Sequence, residues 1–130
     1  MVNTNYNIVA LEKVVLDKIN MLGLTANLYA GVRPAVLDTK VNELIVVRVT
    51  TDIKDMSALG YAIVAVEPYI KDKGGVRDGS RLSSFYNAIC TVLPYITDKY
   101  IFTYSSSTPI ISDGNGFSFQ SIKLYTTIKK

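Results

Sequence analysis

The sequence predicts a single α+β domain: a mainly antiparallel or mixed β-sheet with two amphipathic helices packed on one face. Three observations carry this. Apolar residues recur at helical spacing in two segments, β-branched runs bounded by turn residues fill the stretches between, and these runs follow one another through short connections. At 130 residues the chain suits one core, so residues 1–130 are expected to form a single domain.

The first helix is announced by Ile8, Leu11, Val15, Ile19 and Leu22, whose spacings of three and four put them on one face. Glu12, Lys13, Asp17 and Asn20 fall largely on the opposite side. Asn5 or Asn7 can cap its start, and Gly23 stands where a left-handed C-terminal cap is wanted. After Gly23 the period changes. Residues 24–30 alternate like a short strand that ends at Gly31, while residues 35–42 are ambiguous.

Residues 43–50 (ELIVVRVT) form the clearest strand, apolar on both faces apart from Arg48, and therefore expected inside the sheet. A polar connection, 51–59, leads to a second strand at 61–70 (YAIVAVEPYI). Pro68 cannot donate to a ladder, which predicts that the strand ends there or lies at an edge. Residues 71–81 contain three glycines and read as a long, turn-rich loop. A second helix follows, with Leu82, Phe85, Tyr86, Ile89 and Leu93 on one face, Ser80 or Asp78 as its cap and Pro94 ending it. Lys99–Tyr104 alternates as another strand, 105–116 reads as a loop with a Gly-Asn-Gly turn, and 117–128 closes as one strand. In that last strand Ile122, Leu124 and Ile128 share a face, with Phe117, Phe119, Lys123 and Tyr125 on the other.

Composition bounds the function. Hydrophobic residues make up 48% and charged residues 19%, values that exclude a disordered tail. They are high for a free-standing small domain. Either part of the apolar surface is covered by another chain, or long strands are buried in a dense core. The polar start and the charges at Glu12, Lys13, Asp17 and Lys18 do not resemble a signal peptide, and no membrane-spanning run is present, so a chain made in a cytoplasm is expected. The net charge of +3 is too mild for a nucleic-acid stripe, and Asp72 and Asp78 interrupt the cluster of Lys71, Lys73, Arg77 and Arg81.

Catalytic chemistry finds few carriers. There is no histidine, which removes Ser-His-Asp and Cys-His catalysis and His-ligated zinc. The single cysteine, Cys90, stands beside Ile89 in the second helix and reads as a small buried residue. Glu43, Asp52, Asp55, Glu67 and Asp72 lack the spacing of a carboxylate pair and read as solvated charges, with Glu67 placed where its strand face reaches water or a partner. Gly74 and Gly79 have phosphate-loop spacing, but Ser80 and Arg81 stand where Lys and Ser or Thr belong. No enzyme, no cofactor and no metal site is expected. Nine tyrosines remain, including Tyr61, Tyr69, Tyr95, Tyr100, Tyr104 and Tyr125 on or beside strands, and tyrosine suits protein interfaces as well as half-buried strands.

The helix at the start, the strands ELIVVRVT and YAIVAVEPYI, the loop, the helix RLSSFYNAICTVL (81–93) and the closing strands together resemble bacteriophage tail-terminator and tail-completion proteins. The resemblance covers most of the chain and rests on element order and strand texture, with no catalytic or ligand residues to carry over. It implies a virion protein forming a homo-oligomeric ring, sixfold or twelvefold, between portal or connector and tail. DNA would pass through the lumen without sequence-specific binding, and no membrane is involved. The expected interface residues are Glu67, Tyr69, Lys71, Lys73, Arg77, Arg81, Ile110 and Ile111. A cellular scaffold or adaptor module is the alternative reading, and an enzyme whose active site is completed by another chain is a third.

Overall fold

Helical spacing at the start of the chain does produce a helix. The computed structural model describes residues 7–34, 39–51, 53–56 and 59–129, and places α1 at Ile8–Asn20. Asn7 caps it, its side chain accepting the N–H of Ala10 at 3.1 Å; Asn5, the other candidate, lies outside the described residues. Leu11, Val15 and Ile19 are buried, whereas Ile8 is exposed and Leu22 packs half-buried beyond the helix end. Gly23 takes the left-handed turn, with φ at 66°. Glu12 departs from the polar face assigned to it. It is buried, and its Oε2 accepts the N–H of Val49 at 3.0 Å, tying α1 to the sheet.

Among the described residues nine strands build one mixed sheet: β1 (Asn27–Ala30), β2 (Glu43–Val49), β3 (Lys54–Met56), β4 (Leu59–Lys71), β5 (Tyr95–Ile96), β6 (Tyr100–Ser107), β7 (Ile111–Ser112), β8 (Phe117–Phe119) and β9 (Ile122–Lys129). The main order is β1-β2-β4-β9-β6-β5, with β3 and β8 also on β4 and β7 on β8. Only β1 and β2 run parallel among these pairs. Part of the ambiguous stretch 35–42 lies outside the described residues.

β4 runs straight through Pro68, against the expectation that the strand ends there or forms an edge. The ladder explains why. Pro68 faces Ile45 of β2, and its carbonyl points to the other side, where it accepts the N–H of Gln120 at 3.4 Å. A strand residue aims its N–H and C=O the same way, so the missing donor falls at the break between β8 and β9, where pairing is already interrupted. That break also splits the single closing strand expected over 117–128.

The second helix, α2, spans Gly79–Thr91. Asp78 is its cap, accepting the N–H of Arg81 at 3.2 Å. Leu82, Phe85 and Ile89 join Leu11, Val15 and Ile19 in one core with the inward residues of β2, β4, β6 and β9, so both helices cover the same face. This is the expected α+β architecture. The two long loops are shorter than expected. Lys73 and Val76 bridge each other around Gly74 and Gly75, both at positive φ, and Ser105–Ser107 and Ile111–Ser112 belong to β6 and β7.

Candidate functional site

The starts of β1 and β2, the end of β4 and the first turn of α2 meet at one end of the sheet and enclose a cleft of about 850 Å³. Thr25, Glu43, Lys71, Lys73, Asp78 and Arg81 are among its walls. The central contact is an ion pair between Arg81 and Glu43. The Arg81 Nε bonds one carboxylate oxygen, and Nη2 reaches the other at 3.0 Å. Nη2 also donates to the Thr25 hydroxyl at 2.9 Å, and that hydroxyl donates to Glu43. The guanidinium lies 4.7 Å above the ring of Phe85. Hydrogen bonding from Arg81 holds the Glu43 carboxyl below its ordinary range, although partial burial opposes this.

Glycine-rich turns that feed a helix bind phosphate through free N–H groups and helix-end charge. Here the Asp78 carboxylate already takes the N–H of Arg81 in the first turn of α2, and Lys73 Nζ sits 3.4 Å from it. A phosphate at this position would meet the Asp78 carboxylate. No group of three metal-ligating side chains occurs among the described residues.

The expected interface residues separate into two places. Lys71 and Lys73 line the cleft, Arg77 is exposed beside it, and Arg81 is engaged by Glu43. Glu67 and Tyr69 lie across the sheet. Glu67 is 3% exposed and paired with Arg48 at 2.8 and 3.2 Å, so its strand face does not reach water through that carboxylate. Tyr69 is buried against Phe119, with ring centroids 4.6 Å apart. Ile110 packs half-buried on the main core, while Ile111 is exposed on β7. Of the other carboxylates, Asp72 accepts the Ser118 hydroxyl at 2.7 Å; Asp52 and the side chain of Asp55 lie outside the described residues.

Two further polar clusters escaped the sequence reading. Arg33 lies over the rings of Tyr69 and Phe117 and is held by Asp113 at 3.2 Å. Asp113 Oδ1 in turn accepts the N–H groups of Asn115 and Phe117, the local bonding that an Asp-Gly-Asn-Gly turn announces. The Tyr86 hydroxyl donates to Tyr104 at 3.2 Å, and Tyr104 is 3.0 Å from Ser107 Oγ. The Tyr104 bond is the first cause pushing the Tyr86 phenol up to about 12. Cys90, half-buried rather than fully buried, has its thiol pushed up by desolvation, the opposite of an activated nucleophile.

No protein-family model matches this chain, and no curated protein matches it.

Proposed function

We propose that the chain is a non-enzymatic virion protein, a ring-forming subunit of a phage neck or tail that joins portal or connector to tail around the genome channel. One observation carries this reading beyond the resemblance. Several edges of the sheet lack a partner strand among the described residues, and two of them are unlike and far apart: the outer side of β1, and β6 beyond Phe102, where β5 no longer covers it. A ring needs a head-to-tail contact between different surfaces of neighbouring copies, and two different edges at opposite sides of one sheet supply such surfaces.

Light scattering on the purified chain, followed by negative-stain imaging with a neck partner, tests the proposal. The expected species is a closed ring of six or twelve copies of the 14.3 kDa chain. A chain that stays monomeric at high concentration and also with portal or connector proteins would exclude the ring and favour a scaffold or adaptor module.

A further inference from the structure

The helices cover one face of the sheet. On the other face Leu44, Val46, Tyr69 and Phe117 form a second buried cluster, with Arg33 over the two rings, while the part around Ile63, Tyr61 and Tyr125 is half-buried to exposed. The strand register lays out this open part in rows. Arg48, Ala65 and Lys123 lie side by side on β2, β4 and β9. Ile63, Tyr125 and Thr103 form the next row, and Lys54, Tyr61, Thr127 and Ile101 the one after. Tyr61 and Tyr125 are diagonal neighbours with ring centroids 5.5 Å apart at 36°, and Tyr125 is 41% exposed.

Charge on this face has one uncompensated sign. Glu67 is its one carboxylate among the described strand side chains, and it is buried against Arg48. Lys54 and Lys123 have no carboxylate partner among the described residues. Strand geometry sets these two lysines about 16 Å apart, two strands over and four residues along, with the tyrosine pair between them. Adjacent aromatic rings bracketed by cations on an open sheet are what a flexible polyanion with stacking bases requires. An acidic peptide would use the lysines and leave the rings idle.

We propose that this open face binds single-stranded nucleic acid without sequence preference, stacking bases on Tyr61 and Tyr125 and placing phosphates on Lys54 and Lys123. The site does not depend on ring formation. Nothing on the face offers the rigid donor–acceptor pattern needed to read base edges, so oligonucleotides of different sequence should bind alike.

Fluorescence anisotropy with labelled oligothymidylate and the full chain tests this, with duplex DNA and poly-glutamate as parallel ligands. Binding should weaken with salt at a log–log slope of about −1.4, the value for the two lysines, Arg48 being already neutralised by Glu67. Lys123→Glu should reduce affinity at least about tenfold at low salt, and Tyr125→Ala about tenfold for the single strand while leaving duplex binding unchanged. Thr127→Glu, which sets a carboxylate beside the rings, gives a second route to the same loss should Tyr125→Ala not fold. No binding at low salt would overturn the proposal. So would equal binding of poly-glutamate with no response to Tyr125→Ala, since that marks a cationic patch for acidic proteins.

Discussion

Glu43 and Arg81, 38 residues apart in the chain, meet as a two-pronged ion pair that fixes the first turn of α2 to the start of β2. Thr25, just before β1, is drawn into the same contact. Three separate segments are thereby held together at one end of the sheet. Arg81→Ala should cost about 1 kcal/mol, the upper range for a partly exposed pair. Arg81→Lys should recover little of it, because an ammonium cannot present the planar fork that both carboxylate oxygens accept. Urea denaturation of the three proteins checks this.

The same pair makes stability depend on acid. The folded-state pKa of Glu43 lies below its ordinary 4.5, chiefly through Arg81. A carboxyl depressed by folding contributes stability that is fully present above the unfolded value and is lost as pH falls through the folded one. The denaturation midpoint of the wild type should therefore drop below about pH 4.5, and Glu43→Gln should flatten part of that drop. A wild-type-to-variant difference that stays constant across the acid range would contradict the assignment.

Glu12 is the buried acceptor for the Val49 N–H. Glu12→Ala leaves that donor unpaired next to the core, and a loss of roughly 1–3 kcal/mol is expected. Glu12→Gln keeps a carbonyl oxygen at the position and should lose less. Amide hydrogen exchange at Val49 gives a local readout: protection should fall in the alanine variant and persist in the glutamine variant.

Thr126 is fully buried on the core face of β9, in register with Ala62 and Phe102, and its hydroxyl has no hydrogen-bond partner among the described residues. An unpaired hydroxyl in an apolar setting costs about 1–3 kcal/mol. Thr126→Val keeps the β-branched shape and removes the cost, so its melting temperature should rise. A fall would mean that the hydroxyl is satisfied in solution.

How far the sequence discloses this fold depends on the range over which each signal acts. The stripe of Leu11, Val15 and Ile19, the caps Asn7 and Asp78, and the two faces of 117–128 are local patterns, and they appear where the spacing puts them. Pro68 misleads because its tolerance depends on a gap in a neighbouring strand more than fifty residues later. β3, β5 and β7 have three residues or fewer, too short for alternation to register. The cleft is the least legible feature. Lys71, Lys73 and Arg81 are visible as charges, but nothing near Arg81 announces that Glu43 will neutralise it, and Glu67 gives no hint of Arg48 beyond complementary sign.

The place of β9 has a consequence for synthesis. It lies between β4 and β6, so the two flanks of the sheet cannot be joined until β9 has left the ribosome, although β6 precedes it in the chain. Until then the nascent protein holds β4 with one long side largely unpaired and β6 paired only with the two-residue β5. A chain cut before Ile122 would not lose a peripheral strand; it would lose the seam that joins two halves, and an unpaired apolar strand is a template for sticking to other chains. Many of its defining pairings are remote in sequence, so folding should be slow for its size and most dependent on chaperones in the interval before the seam closes.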